Sequence, residues 1–326
     1  MKYFVTGATG FIGGRLVRRL RENGHDVVAL ARNPDKARDL VDLGVTVCRG
    51  DITDRSSLKA PMFGVDGVFH MAAWYKLGAP DYHEAQTVNV EGTRNVLETV
   101  RDLGIPKCVY TSTLAVFGDT HGKVADESYE HKGAHLSVYD RTKWMAHYQV
   151  ALPLMEGGAP VVIVQPGLTY GPGDTSSVHT STVDYLTGKL PVLPSVTAFC
   201  WAHVDDTVQG HLLAMEQGTP GESYIIAGPV HTLIGAFEMA QRVTGIPAPR
   251  IRPTPGMMSA MASTMRVIEK MVRVPDTYSS EALRVMAGTT YLGTSAKAEA
   301  ELGFAARRLE DGWPETLRYE QERLKS

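Results

Sequence analysis

The stretch VTGATGFIGGRL, Val5 to Leu16, joins a short apolar run to a helical pattern through three regularly spaced glycines. Gly7 permits a tight turn, Gly10 lets the backbone approach a pyrophosphate, and Gly13 lets the helix pack closely on the strand. A phosphate then meets free N–H groups at the N-terminus of the helix. At the end of a first strand, this pattern predicts the dinucleotide-binding turn of a βαβ unit.

Short β-branched or aromatic runs alternate with longer helical patterns through the first half of the chain. The predicted strands are Tyr3 to Thr6, Val27 to Ala31, Val45 to Cys48, Val68 to His70, Cys108 to Ser112 and Val161 to Gln165. The predicted helices are Phe11 to Glu22, Pro34 to Leu43, Tyr82 to Leu103 and Tyr139 to Met155. Strict alternation indicates a parallel sheet with helices on both faces, a Rossmann-type doubly wound α/β fold.

Beyond Gln165 the alternation loosens, because prolines divide the chain into loops. A helix from Val204 to Glu216 and a strand from Tyr224 to Ala227 are predicted, and the strand is expected to rejoin the sheet. The remainder is mostly helical in pattern and predicts a smaller C-terminal cap. We therefore expect a dinucleotide-binding domain of the Rossmann type at residues 1–172 and 198–228, and a substrate-binding cap of residues 173–197 and 229–326.

The end of the second predicted strand bears on the choice of dinucleotide. Enzymes of this fold that use NAD usually place an acid there for the ribose 2′-hydroxyl, whereas an arginine suits the 2′-phosphate of NADP. Here Ala31 and Arg32 occupy the place of the acid, and Lys36 follows one turn later. The sequence favours NADP, with NAD possible. Asp51 and Ile52, after the third strand, are expected to border the adenine.

Two motifs, TGATGFIG at Thr6 to Gly13 and YDRTK at Tyr139 to Lys143, give the chain a family resemblance. It resembles the extended short-chain dehydrogenase/reductase superfamily, the NAD-dependent epimerase/dehydratase family. Further matching segments in the family's order are FHMAA at Phe69 to Ala73, NVEGTRNVLE at Asn89 to Glu98, TSTLAVFG at Thr111 to Gly118, PGLTYGPGD at Pro166 to Asp174 and HVDD at His203 to Asp206.

The resemblance implies that Tyr139 is the acid/base, that Lys143 holds the nicotinamide ribose, and that Thr113 offers a hydroxyl to the substrate oxygen. Ser112 is the alternative hydroxyl. Tyr139 and Lys143 share one face if the stretch is helical. An ammonium about 4 Å away, at an effective dielectric near 20, favours a phenolate by roughly 4 kcal/mol. We therefore expect Lys143 to lower the pKa of Tyr139.

Other site residues follow from the same motifs. Asn89 is expected to have a structural or proton-relay role. The remaining cofactor contacts implied by the resemblance are Thr9, Phe11, Ile12, Ala72, Ala73, Thr111, Pro166 and Gly167.

The substrate is argued from departures from the nucleotide-sugar pattern. Leu168 stands where sugar enzymes of the family carry an asparagine for a diphosphate, and Trp201 lies in an apolar segment. A buried diphosphate there would lack charged partners, which is costly. Five methionines between Met257 and Met271 are compatible with an adaptable pocket or a helix core. These features favour a reductase of the dihydroflavonol-4-reductase-like branch, acting on a ketone, an aldehyde or the secondary alcohol of a largely apolar small molecule.

Two alternatives stay open at this point. The first alternative is a nucleotide-sugar epimerase or dehydratase that retains NAD(P), because the segment AAWYKLGAPD, Ala72 to Asp81, also resembles relatives described as sugar epimerases. A non-catalytic protein that senses NADP is the other.

Composition narrows the partners. A formal net charge of -3 and a pI near 6.4 give no electrostatic case for nucleic acid or a membrane, and a small-molecule substrate is expected. Cys48, Cys108 and Cys200 form no close pair, which predicts reduced thiols, no metal site and a cytoplasmic location. The resemblance also implies a homodimer through the two helices Tyr82 to Leu103 and Tyr139 to Met155, with their apolar positions Val88, Val96, Val100, Ala146 and Val150.

Overall fold

The computed structural model describes residues 1–76, 78, 81–272, 274–275 and 278–325. Three residues of the segment Ala72 to Asp81, namely Leu77, Ala79 and Pro80, lie outside the described residues. The strands are β1 (Lys2–Thr6), β2 (Asp26–Ala31), β3 (Thr46–Arg49), β4 (Gly67–His70), β5 (Cys108–Thr111), β6 (Val161–Pro166), β7 (Leu168–Tyr170), β8 (Ala198–His203), β9 (Ser223–Ile226), β10 (Val230–Thr232) and β11 (Thr290–Tyr291).

The larger sheet has the strand order β3-β2-β1-β4-β5-β6-β9, and every neighbouring pair in it is parallel. The chain runs outward from β1 to β3 and then returns to the other side of β1 with β4. The order therefore reverses between β1 and β4, where the carboxyl ends of the strands leave a crevice for a ligand. The predicted doubly wound parallel sheet is confirmed.

Helices cover both faces of this sheet. They are α1 (Phe11–Glu22), α2 (Arg38–Asp42), α3 (Ser56–Met62), α4 (Tyr82–Gln86), α5 (Gly92–Asp102), α6 (Val138–Trp144), α7 (Leu152–Glu156), α8 (Ser177–Leu186), α9 (Val204–Glu216), α10 (Leu233–Thr244), α11 (Pro255–Ile268), α12 (Ser280–Val285), α13 (Ala296–Leu302) and α14 (Leu309–Arg323). On one face Leu16 of α1 and Leu212 of α9 pack with β1 and β6, and on the other Leu97 of α5 packs with β4 and β5.

Several predicted boundaries are confirmed, and a few elements were missed. Helices α1 and α9 begin and end where the sequence predicts. The two long predicted helices are continuous but pass through π-helical turns at Thr87–Glu91 and Met145–Ala151. Helix α3 was not predicted, because its seven residues are few for a periodic pattern and include Pro61.

A second, smaller sheet is built around β8, which pairs in parallel with β7 and β11 and antiparallel with β10. Every residue of β8 is buried. The helical C-terminal part packs on this sheet through aromatic contacts, among them Trp201 against Trp313 with ring centroids 5.3 Å apart. The sequence missed this sheet because its strands are short and lie far apart in the chain.

The small sheet and the C-terminal helices bear on the predicted domain division, which stays a prediction. Strand β8, which the division assigns to residues of the Rossmann domain, pairs within the smaller sheet, whereas α9 and β9 pack in the larger one. Ala298 and Leu302 of α13 also join the apolar core of the larger sheet.

Candidate functional site

The glycine turn after β1 is closed so tightly that side chains are excluded. Gly7 has φ +72°, and a Cβ there would lie 2.7 Å from the backbone nitrogen of Ala72. A Cβ at Gly13 would lie 2.1 Å from the carbonyl oxygen of Gly7, and one at Gly10 would lie 3.2 Å from the same oxygen. Only glycine at Gly7 and Gly13 allows this strand, turn and helix to meet.

Helix α1 presents its N-terminus to the crevice without a competing side chain. Its N-cap, Gly10, makes no side-chain hydrogen bond, and the first turn contains no acidic residue. The first N–H groups of a helix have no intrahelical acceptor, and its N-terminal end is partially positive. The backbone of Phe11, Ile12 and Gly13 therefore fits a pyrophosphate, with Thr9 exposed beside it.

A buried polar pair ties the ends of β1 and β4 together at the crevice. Thr6 Oγ1 lies 2.8 Å from His70 Nδ1 and accepts hydrogen bonds from the backbone N–H groups of Met71 and Ala72 at 3.2 Å each. His70 Nε2 lies 3.1 Å from Thr93 Oγ1. This network fixes the backbone that carries Ala72 and Ala73, and the sequence analysis did not identify it.

The loops after β2 and β3 lie along the same edge. Arg32 and Lys36 are exposed, and neither forms an ion pair with another described residue. Asp51 Oδ1 accepts hydrogen bonds from the N–H and the hydroxyl of Thr53 at 2.9 and 3.0 Å. Ile52 is 5% exposed, and its side chain packs in the core beside Gly92.

Tyr139 and Thr113 meet at the carboxyl end of β5. Ser137 caps α6, its Oγ accepting from the N–H of Asp140 at 3.0 Å, and this places Tyr139 in the first turn. The side chain of Thr113 lies near the Tyr139 phenol and lowers the pKa of that phenol. Thr113 Oγ1 also accepts from the N–H of Ala115 at 3.2 Å and so begins the 3-10 turn at Leu114–Phe117.

Lys143 lies one turn further along the helix and is 2% exposed. Its Nζ donates to the carbonyl oxygen of Thr111 at 2.7 Å and to the hydroxyl of Tyr110 at 3.2 Å, and it lies over the ring of Tyr110. Burial lowers the pKa of Lys143 to about 7. The two hydrogen bonds direct the Lys143 amine to the carboxyl end of β5.

The expected effect of Lys143 on Tyr139 is wrong for this arrangement. Burial raises the pKa of the Tyr139 phenol above its usual value, and the neighbouring Tyr75 and Asp140 act in the same direction. The neighbouring Thr113 side chain lowers that pKa but does not outweigh burial. A shared helix face brings the two residues close, but their side-chain rotamers decide which groups meet.

The chain is similar in sequence to a known protein family and to several of its members. The family model of the NAD dependent epimerase/dehydratase family matches residues 3–227. The chain belongs to this family. A putative dihydroflavonol 4-reductase of Synechocystis sp. is 36% identical over 256 residues, which are 76% of this chain and 74% of that protein. A 2-alkyl-3-oxoalkanoate reductase of Stenotrophomonas maltophilia is 33% identical over 269 residues, 77% of each chain.

Solved structures agree with the fold assignment. The crystal structure of gox2253 superposes with a TM-score of 0.84 at 30% identity and covers 98% of both chains. Several nucleotide-sugar epimerases and dehydratases solved with NAD share the fold at under 25% identity, which shows the fold alone. The chain is an enzyme of the extended short-chain dehydrogenase/reductase type, which acts on CH–OH and carbonyl groups. Among the described residues, no helix has both the length and the apolar character needed to cross a bilayer.

Within this family assignment, the structure separates the two candidate hydroxyls. Ser112 is 3% exposed, and its Oγ lies 2.8 Å from His147 Nδ1 in the interior. Burial, with the nearby charge of Lys143, lowers the pKa of His147 to about 3, so this imidazole is neutral. Because Ser112 is engaged inside the protein, Thr113 is the better placed of the two for a substrate oxygen.

Asn89 has the contacts of a structural residue. Its Oδ1 accepts from the N–H of Trp74 at 2.7 Å, and its Nδ2 donates to the carbonyl of Trp74 and to Thr142 Oγ1 at 3.0 Å each. Asn89 therefore connects the loop after β4 to α6, and both polar atoms of its amide have structural partners.

The two predicted substrate residues, Leu168 and Trp201, both contact the aromatic core of the smaller sheet. Leu168 is half-buried at the start of β7, directly after Pro166 and Gly167. A Cβ at Gly167 would lie 2.3 Å from the carbonyl oxygen of Cys200. Trp201 is 1% exposed, and its indole N–H donates to the carbonyl of His231 at 3.2 Å. Trp201 thus belongs to the aromatic core, because β8 is buried on both faces, and this corrects its assignment to the substrate.

The methionine segment is also placed differently from a pocket lining. Met258 is 2% exposed and packs with Leu283 and the partly buried Met265, whereas Met257 and Met261 are exposed. Met258 and Met265 therefore form the face of α11 that packs inward, and Met257 and Met261 lie on its exposed face.

Tyr75 was missed by the sequence analysis although it lies two residues beyond Ala73. Its ring meets the ring of Tyr139 edge-on, with centroids 4.8 Å apart, and its hydroxyl lies 3.1 Å from Ser177 Oγ on α8. The side chain is 42% exposed, which places it at the mouth of the site. An aromatic residue just after the FHMAA motif is the signal that indicates it.

Proposed function

We propose that the protein is an NADP(H)-dependent oxidoreductase that reduces a ketone or aldehyde on a largely apolar small molecule, or oxidises the corresponding secondary alcohol. The observation that carries the proposal is the proximity of two side-chain hydroxyls, those of Tyr139 and Thr113, at the crevice that the glycine turn also borders. A bound nicotinamide supplies or accepts the hydride.

The chain's own residues account for orientation and for the proton. Thr113 holds the substrate oxygen, and the Tyr139 hydroxyl gives its proton to that oxygen during reduction. The raised pKa of Tyr139 keeps this donor protonated across the neutral range. Lys143 would hold the nicotinamide ribose from its position beside Thr111.

Two observations support an apolar carbonyl substrate. Leu168 stands where the sugar enzymes carry an asparagine, and a diphosphate beside it would lack a charged partner. The reductases described above are named for ketone substrates. Each buried methylene contributes about 0.8 kcal/mol, so we expect loose discrimination among related ketones.

The experiment measures NADPH oxidation with aromatic and alicyclic ketones, and binding of uridine and thymidine diphosphates by calorimetry. We expect net NADPH consumption and weak diphosphate binding. Tight diphosphate binding, with sugar conversion and no net consumption of NADPH, would instead support the epimerase or dehydratase alternative. Tight NADPH binding with no turnover of any substrate would support the sensor.

NADP is the proposed cofactor because Arg32 and Lys36 are exposed and free of ion pairs with described residues, at the end of β2 where an acid would favour NAD. Charge-assisted hydrogen bonds to a 2′-phosphate contribute about 1.5 to 3 kcal/mol, so NADPH should bind about tenfold to a hundredfold more tightly than NADH. We expect Arg32→Ala to remove most of this preference in a fluorescence titration, while Arg18→Ala, on the exposed side of α1, keeps it. Equal affinities in the wild-type protein would overturn the assignment.

A homodimer and a cytoplasmic location complete the proposal. The dimer now depends on the resemblance alone, because Val96, Val100, Ala146 and Val150 are fully buried within the chain and Val88 is partly buried against its core. Light scattering that shows a concentration-independent monomer would remove the dimer.

A further inference from the structure

Glu281 joins the C-terminal part of the chain to both segments that surround Tyr139. It lies in the first turn of α12, and its Oε1 accepts a hydrogen bond from the N–H of Val138, the first residue of α6, at 2.5 Å. Its Oε2 accepts from the N–H of Gly78, in the loop that follows Tyr75, at 3.1 Å. One carboxylate therefore holds the start of the helix that carries Tyr139 and the loop whose tyrosine covers it.

A second contact from the same part of the chain reaches the residue after Tyr139. The hydroxyl of Tyr291, on β11, donates to Asp140 Oδ2 at 2.7 Å. Asp140 is 2% exposed, and its own N–H donates to Ser137 Oγ. Val138 and Asp140 are thus each bound from outside the helix, on either side of Tyr139 in the sequence.

The Glu281 contact lies in the first turn of α6, where a helix is least constrained by its own hydrogen bonds. The first N–H groups of a helix have no intrahelical acceptor, so external acceptors fix the orientation of the first turn. A carboxylate is the strongest such acceptor and is stabilised by the helix dipole. Glu281 is half-buried, which raises its pKa, while the N–H groups of Val138 and Gly78 and the nearby Arg284 lower it.

We propose that Glu281 and Tyr291 are positioning residues, which hold the first turn of α6 so that the Tyr139 hydroxyl meets Thr113 at the reacting oxygen. The proposal rests on the proposed function for its catalytic consequence. A misplacement of about 1 Å in an acid/base group costs about a hundredfold in rate. The C-terminal part of the chain therefore contributes to the rate of the chemical step.

The test compares Glu281→Ala, Glu281→Gln and Tyr291→Phe with Glu310→Gln, a control at an exposed position at the start of α14. Amide hydrogen exchange is measured at Val138 and Gly78 without substrate, and steady-state kinetics and NADPH titration follow. For Glu281→Ala we expect faster exchange at both amides, a fall in kcat of about tenfold to a hundredfold, and unchanged NADPH affinity. Glu281→Gln should recover part of kcat, because its amide oxygen can accept from one of the two N–H groups, and Tyr291→Phe should lower kcat with little change in KM.

Three results would overturn the inference. One is wild-type exchange at Val138 and wild-type kcat in Glu281→Ala. Another is faster exchange throughout β1 to β6, which would assign Glu281 to general stability. The third is a loss confined to KM. If the wild-type protein oxidises no NADPH with any carbonyl, the proposed function fails, and the exchange comparison still decides whether Glu281 holds the start of α6.

Discussion

At the scale of single residues, the environment of Tyr139 suits a proton donor better than a standing base. Burial and the neighbouring Tyr75 and Asp140 raise the pKa of its phenol, so the free protein keeps the proton in place. Reduction of a carbonyl uses the protonated form, and oxidation of an alcohol needs the phenolate. A positive nicotinamide beside the phenol would favour the phenolate when oxidation is the direction.

We expect Tyr139→Phe to bind NADPH normally and to lose nearly all turnover, because the phenyl ring retains the packing against Tyr75 but has no proton to give. Cofactor titration beside steady-state kinetics measures both properties. Tyr82→Phe is a matched control, since that hydroxyl lies 3.7 Å from Met145 Sδ and outside the proposed chemistry. Wild-type turnover in Tyr139→Phe would remove Tyr139 from the mechanism.

At the scale of elements, the contact between β1 and α1 depends on the absence of a Cβ at Gly13. A methyl group there would lie 2.1 Å from the carbonyl oxygen of Gly7, so the helix or the turn must move. Overpacking of this kind costs about 1 to 3 kcal/mol, and the movement disturbs the N–H groups proposed for the pyrophosphate. We therefore expect Gly13→Ala to lower both the free energy of unfolding and the cofactor affinity.

The neighbouring glycine provides the control for this prediction. A Cβ at Gly14 would lie 3.5 Å from the carbonyl oxygen of Ala8, an ordinary contact. Gly14→Ala should keep cofactor affinity and gain up to about 1 kcal/mol from helix propensity. Urea denaturation and NADPH titration measure the stability and the cofactor affinity of the two variants. Equal values for both variants would show that the turn does not depend on the close approach at Gly13.

At the scale of the whole molecule, the buried amine of Lys143 lowers the stability of the folded protein. Burial lowers its pKa to about 7 from the ordinary lysine value of about 10.4. Between these values the unfolded chain binds the proton and the folded protein does not, so stability rises with pH across this window. Below about pH 7 both states are protonated, and the full cost of burying the ammonium is present.

We expect Lys143→Met to stabilise the free protein by about 1 to 3 kcal/mol at pH 7 and to abolish turnover. The gain should shrink as the pH rises from about 7 towards about 10.4, because the unfolded chain progressively loses the proton that the folded protein has already released. Urea denaturation at pH 7, 8.5 and 10 measures this trend. A gain that is constant with pH, or a loss of stability at pH 7, would contradict the assigned cause.

The sequence by itself determined the larger sheet and indicated the segments of the candidate site. Periodicity and the glycine spacing are local properties, so the alternating elements around β1, β4 and β5, and the turn at Gly7 to Gly13, followed from neighbouring residues. The motif that contains Tyr139 and the one that contains Thr113 were also found in this way, since each is a short contiguous segment.

Only the tertiary structure decided which side chains face the site and which face the core. Trp201 is buried because β8 lies between β7 and β10 in a sheet whose strands are distant in the chain. Lys143 donates to Thr111 rather than to Tyr139, and Glu281 reaches Val138 across 143 positions of sequence. Such contacts depend on rotamers and on the packing of remote segments, and a local pattern contains no information about either.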